Sequence, residues 1–270
     1  MKIISKQTGV IKLKGTLAGI TFYHSRGQDY AKQSGGPSKE RIAKDPAFAR
    51  TRENNKEFSG ISLLSKSFRT TFMLSTQDKC DNSMGQRASG ILREMLYKNT
   101  GIRGQRSIQL SANKTMFEGF AFDAGKEFSQ KFLAPFTLTP NAGRNQCDIV
   151  VPNFLPASCI NAPCGATYFR LVATLGVVSD FVYNASTFRY EPSDIALNQL
   201  SNTVYSATTS LTAKNPVSFT LSTVLPGTPA PVLTATSSVI LCLGIEFFQR
   251  IGTIDYIFNS ENCMKVIKVF

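Results

Sequence analysis

Beyond residue 106 the chain becomes a succession of short apolar runs cut by Pro, Gly and Asn, and no other feature limits the fold as strongly. MFEGFAF (116–122), FLAPFTL (132–138), CDIVV (147–151), TYFRLVATL (167–175), VSFTLSTVL (217–225), SVILCLGIEFFQ (238–249), TIDYIF (253–258) and KVIKVF (265–270) each have strand length. Turn-rich pieces such as TPNAGRN and LPGTPAP separate them. Short apolar runs punctuated in this way suit antiparallel strands that bury one face in a two-sheet core. NQLSNTVYSATTSLTAKNP is rich in Ser and Thr and reads as a long loop or a weak strand pair.

Upstream the periodicity changes. Residues 38–100 read as helical. Asp45 is placed to cap, and Pro46 follows at the first helical position, where its missing N–H is not needed. Phe58, Ile61, Leu64, Phe68 and Phe72 recur every three or four residues, as one helix face does. Asp78 to Ser83 interrupts. Ile91, Leu92, Met95 and Leu96 then form a second face, which Gly101 ends. Before residue 37, VIKLK (10–14) and ITFY (20–23) alternate between apolar and polar and are punctuated by Gly15 and Gly19, as in a hairpin. The expected architecture is α+β: an N-terminal β-hairpin arm and two-helix segment over 1–105, then an antiparallel β-sandwich, jelly-roll-like or Ig-like, over 106–270.

Charge divides the same way. Before Lys126 the chain has 21 Lys and Arg against 10 Asp and Glu; from Lys126 onward the counts are 9 and 8. A basic half joined to a neutral one suits an anion-binding or partner-binding role for the first part. MKIISKQTGVIKLKG lacks the unbroken apolar stretch of a signal peptide, and no apolar run is long enough to span a bilayer. Cytoplasmic synthesis is expected, with a place in a virion or extracellular particle after release.

Little of the usual catalytic chemistry is on offer. His24 is the single histidine, so a Ser-His-Asp or Cys-His site would have to be built in a hairpin. Free thiols are expected at Cys80, Cys147, Cys159, Cys164, Cys242 and Cys263; Cys159 and Cys164 are wrongly spaced for a zinc knuckle, and buried thiols in a β core account better for a Cys-only group built on them. SGGPSK is no P-loop, and no GxGxxG follows a strand. The expectation is a protein that is not an enzyme, with no cofactor, no metal and no small-molecule substrate.

The candidate contact residues gather near the helix start. SKERIAKDPAFARTREN (38–54) holds Lys39, Arg41, Lys44, Arg50 and Arg52 against Glu40, Asp45 and Glu53. On a helical wheel of about 100° per residue counted from Phe48, the apolar stripe covers roughly 160° to 280°. Arg50 falls near 200°, in line with that stripe, and Arg52 near 40°, beside Phe48 on the opposite side. Phe48 is then an aromatic facing away from its own core, flanked by arginine, as contact anchors are. The N-terminal segment, with Ile3, Ile4, Ile11 and Leu13, and the hairpin residues Ile20 and Phe22 are placed either to pair within the molecule or to complete a neighbour's sheet edge. Assembly contacts are therefore expected at Ile11, Leu13, Ile20, Phe22, Phe48, Arg50 and Arg52. Lys39, Arg41, Lys44, Arg103 and Arg106 are the candidates for sequence-independent nucleic-acid contact, since no helix-turn-helix, RRM or zinc-finger pattern is present.

At KGTLAGITFYHSRG, DPAFARTRENNKEF, GIRGQRS, PCGATYFRL and LGIEFFQ the chain resembles an uncharacterised conserved protein family of Bacteroidota bacteria. The resemblance covers nearly the whole length and brings no assigned activity. It implies one coherent architecture whose layout, a basic arm and helices before a β-sandwich, is similar to phage-type structural proteins. The expected function is a structural protein that self-assembles into a homo-oligomeric shell, tube or filament, with copies of itself as partners. The alternative is a sequence-independent nucleic-acid-binding protein using the basic half. A third reading is an adhesive β module anchored by its helices.

Overall fold

The structure is a computed structural model and describes residues 4–33, 35–258 and 261–270. Lys2 and Ile3 lie outside them. The chain divides into two compact units, Met1–Arg52 and Glu53–Phe270. That boundary falls inside a helix and well before residue 105, because the helical segment and the β-rich part share one core.

In the first unit β1 (Ile4–Lys6), β2 (Gly15–Leu17), β3 (Ile20–Ser25) and β4 (Gln28–Gln33) form an antiparallel sheet in the order β1-β4-β3-β2. The expected strand at VIKLK is absent: Val10 to Lys14 form a bend and loop, and the strands lie on either side. The β3–β4 turn places Arg26 and Gly27 at positive φ (50° and 75°), as a tight hairpin requires. Helix α1 (Lys39–Lys44) follows. Ser38 caps it by accepting from the Arg41 N–H at 3.1 Å.

Helix α2 (Ala49–Thr76) and helix α3 (Met84–Lys98) run antiparallel, with the Ser65 hydroxyl donating to the Gly85 carbonyl at 3.2 Å. Then come α4 (Phe128–Lys131), β5 (Thr137–Pro140), β6 (Gln146–Phe154), α5 (Pro156–Cys159), β7 (Tyr168–Ser179), β8 (Phe181–Asn184), β9 (Arg189–Pro192), β10 (Ser201–Tyr205), β11 (Thr209–Ser210), β12 (Val217–Val224), β13 (Ser237–Ile251), β14 (Ile254–Ile257) and β15 (Cys263–Val269). The larger sheet runs β10-β7-β13-β14, with β11 also pairing β7 and β15 also pairing β13; a second sheet runs β12-β6-β5, and β8 and β9 pair as a ribbon. The Ser/Thr-rich stretch is neither a loop nor a pair: its two short strands do not pair with each other but follow one another along β7. MFEGFAF is not a strand: it carries a turn and one isolated bridge, Ala121 to Lys265.

The central strands β7 and β13 are buried on both faces, and side-chain alternation separates two cores. Leu171, Ala173, Leu175 and Val177 with Leu241, Leu243 and Ile245 face the smaller sheet and pack on Ile149, Val151 and Leu221. That is the sandwich. Val172, Val178, Ile240 and Cys242 face the other way, onto Ile61, Leu64, Phe68 and Phe72 of α2 and Leu92, Met95 and Leu96 of α3. The helices therefore form a third layer. Close approach is bought at Gly176, where a Cβ would stand 2.9 Å from the Phe72 ring.

Under the helices Phe68, Phe72, Phe117, Phe120 and Phe122 form an aromatic cluster, with Phe68 within 4.9–5.7 Å of the other four rings. Stacked, tilted and edge-on pairs of this kind add about 0.5–1.5 kcal/mol each beyond burial. Phe58, expected on the buried stripe, is 62% exposed; Glu57 is buried in its place. On the wheel Glu57 lies near 180°, between Leu64 and Phe68, whereas Phe58 lies at the stripe's margin near 280°.

Candidate functional site

The residues expected to make contacts in the first unit are at the surface or only half-buried. Ile11 is 81% exposed, Leu13 48% and Ile20 42%; Phe22 is half-buried. Among the described residues of Met1–Arg52 none is buried. Ile4, Leu17 and Ile20 of this sheet are exposed; Leu17 and Ile20 lie opposite each other on one face, and Ile4, opposite Lys32, lies on the other. Its outer strands are unlike each other. β1 ends in Lys6, whereas β2 is Gly-Thr-Leu and carries no charge.

The helix start is held by its own polar groups. Asp45 accepts from the Ala47 N–H at 2.9 Å and from Arg41 Nε at 3.1 Å. The Asp45 carboxyl lies below its ordinary range because of the Ala47 N–H first and Arg41 second. Arg52 does not point into solvent: its Nη1 donates to the carbonyls of Ile42 at 2.8 Å and Asp45 at 2.9 Å, tying the end of α1 to the first turn of α2. Phe48 is half-buried, with the Arg41 guanidinium 5.6 Å from its ring centre. Arg50 is exposed. Lys44 pairs with Glu40 at 2.9 Å, and Lys39 is exposed.

The second basic spot, IRGQR, turns inward. Arg106 makes a two-pronged pair with Glu57, both contacts 2.7 Å, and Gly104 N–H donates to the same carboxylate at 2.8 Å. Burial pushes the Glu57 carboxyl up, but the hydrogen bonds from Arg106 and Gly104 outweigh it and hold the group ionised below its usual range. Tyr190 donates to the Arg106 carbonyl at 2.9 Å and lies over Gly60, where a Cβ would stand 2.6 Å from the ring. Arg103 pairs with Glu53 at 3.6 Å.

One charged cluster escaped the sequence reading. Lys79, 2% exposed, lies 2.6 Å from Asp78 and 2.6 Å from Glu246. Asn262 donates to Asp78 at 2.6 Å and accepts from the Phe247 N–H at 2.9 Å. Arg170 closes the group at 2.5 Å from Glu246, its guanidinium 4.2 Å from the Tyr205 ring centre and 5.0 Å from that of Phe248. Two cations meet two carboxylates, so the cluster is balanced and locks the turn after α2 to β13. Its members are far apart in sequence and no motif announces them.

The arrangement offers no activated nucleophile among the thiols with resolved shifts. Burial raises Cys147 to about 11 and Cys263 to about 12, and drives Cys242 up as well. His24 pairs with Asp29 at 2.8 Å across the β3–β4 hairpin. No group of His, Cys, Asp and Glu among the described residues is placed to hold a metal ion. No helix among them is long and apolar enough to cross a membrane. No protein-family model matches the chain, and no curated protein or solved structure matches it.

Proposed function

We propose that the protein is a non-enzymatic structural subunit that assembles with copies of itself into a shell, tube or filament of phage-like kind, as a member of the Bacteroidota family its motifs resemble. The observation that carries this reading is the sheet of Met1–Arg52, which leaves Ile4, Leu17 and Ile20 exposed and buries none of its described residues. Covering an Ile or Leu side chain fully is worth about 1.5–3 kcal/mol. Leu17 and Ile20 lie opposite each other on one face of the sheet, and burying them against a second copy is then a substantial driving force.

The edges give the mechanism. β2, uncharged, is the better acceptor of another strand, since lysine on an edge discourages pairing. Pairing of β2 with β2 of another copy is self-complementary and closes a two-fold dimer; pairing at β1 as well extends the array. Thr16→Lys is expected to leave small oligomers where the unmodified chain forms large ones, read by negative-stain microscopy and light scattering. Monodisperse monomers of the unmodified chain across salt and concentration would sink the reading.

The nucleic-acid alternative draws less support. Arg106 and Arg103 have carboxylate partners, and so do Arg41 and Lys44. A titration with single-stranded DNA at rising salt separates the two readings: a steep fall of affinity with salt favours nucleic acid.

A further inference from the structure

The α2–α3 pair of the larger unit carries a surface with its own chemistry. The outer side of the α2–α3 pair is a trough lined by Phe58, Ser62 and Arg69 from one helix and Gln86, Ser89 and Arg93 from the other. It continues past Phe58 to Asn54 and Tyr97, and past Arg69 to Met73 and Gln77. From Asn54 to Gln77 at 1.5 Å per residue it is roughly 35 Å long, the length of a helix of about 23 residues.

Its charge is one-sided. The two carboxylates on its walls are already engaged: Glu57 by Arg106 and Asp81 by Arg87, each at 2.7 Å. Lys66, Arg69 and Arg93 have no carboxylate partner among the described residues. Arg69 is held in place by a glycine: a Cβ on Gly85 would stand 3.2 Å from its Cδ and 3.3 Å from its Nε. Arg93 lies eight positions further along α3 than Gly85, about 12 Å at the helical rise. Gly85, beside which Arg69 lies, and the backbone of Arg93 are thus about two helical turns apart, with Phe58 (62% exposed) towards the Arg93 end and Met73 (59%) towards the Arg69 end.

We propose that this trough receives an acidic amphipathic helix of another protein, with carboxylates seven or eight residues apart on Arg69 and Arg93 and apolar side chains against Phe58 and Met73. Carboxylates at that spacing on one helix stand about 10.5–12 Å apart, close to the rise from Gly85 to Arg93. A second copy of the chain is a poor occupant, because its net charge is +12 and the acids of α2, Glu53 and Glu57, are four residues apart. Exposed Phe58 and Met73 suit an apolar helix face better than a phosphodiester backbone.

The test uses the full chain and a fluorescein-labelled 20-residue designed helix with leucines on one face and two glutamates seven apart. Fluorescence anisotropy at low salt is expected to give saturable binding. The double variant R69E/R93E should weaken it by at least about tenfold, while circular dichroism melting confirms the fold. The same peptide with both glutamates replaced by lysine should bind the variant better than the unmodified chain. Binding that ignores the reversal, or no saturation with either protein, overturns the proposal. So does a single-stranded oligonucleotide that displaces the peptide and is itself lost on reversal, which assigns the trough to nucleic acid.

Discussion

In Glu53–Phe270 apolar side chains are turned inward from three layers, and β7 and β13 are covered on both faces. In Met1–Arg52 the apolar side chains of a four-stranded sheet stay at the surface, and no described residue is buried. The two regions have similar strand-forming sequences; they differ in what packs against them. The larger unit supplies its own second and third layers. The smaller has short strands, of three to six residues, and one six-residue helix, too little to enclose a core. Substitutions should therefore unfold the one and disassemble the other.

The largest effect on stability is expected from Lys79→Ala. It leaves Asp78 and Glu246 buried without their shared cation, a loss of about 3–5 kcal/mol, read as a lower denaturant midpoint. Phe68→Ala should cost a comparable ~3–5 kcal/mol by emptying the centre of the phenylalanine cluster. Equal midpoints for either variant and the unmodified chain would remove the claim that these groups hold the layers together.

Gly60→Ala sharpens the comparison by its sign. In an open helix this change stabilises by about 0.4–1 kcal/mol. Here the new Cβ meets the Tyr190 ring, so chemical denaturation should give a lower midpoint instead.

Acid should weaken the larger unit through Asp81. Burial raises its carboxyl, but the N–H groups of Ala124 and Ser83, the Ser83 hydroxyl and Arg87 bring it down to about 2. A folded pKa below the unfolded one gives stability that is present above the unfolded value of about 3.8 and is lost as pH falls through about 2. Asp81→Asn should flatten the pH dependence of the midpoint in that window. An unchanged slope would show that the carboxylate is not a stabilising charge there.

The smallest stability effect belongs to Ile11→Ser and Ile20→Ser, within about 0.5 kcal/mol. The same changes are expected to reduce the size of the assembly.

Much of this fold was legible in the sequence. The α2 stripe of Ile61, Leu64, Phe68 and Phe72 and the strands at CDIVV, VSFTLSTVL and KVIKVF follow directly from periodicity. The strand reading of MFEGFAF failed because Phe117, Phe120 and Phe122 serve the helix-side core from a turn, and three aromatic residues in a short run look the same either way. VIKLK alternates as strands do, yet alternation cannot report that no neighbouring strand is there to pair with it. At the candidate site, exposure of Ile11, Leu13 and Ile20 was within reach, because a short arm has little to bury them. The role of Arg52 was not: its partners are main-chain carbonyls at Ile42 and Asp45, and carbonyls leave no mark in a sequence. The pairing of Glu57 with Arg106, 49 residues away, was hidden for a similar reason, since only the tertiary fold brings them together.

Sedimentation velocity of the full chain beside the Ile11→Ser, Leu13→Ser, Ile20→Ser triple variant tests self-assembly through the first unit most directly. The unmodified chain should sediment as species that grow with concentration, and the variant as a folded monomer with an unchanged denaturant midpoint. Monomers from both, or identical assemblies from both, would contradict it.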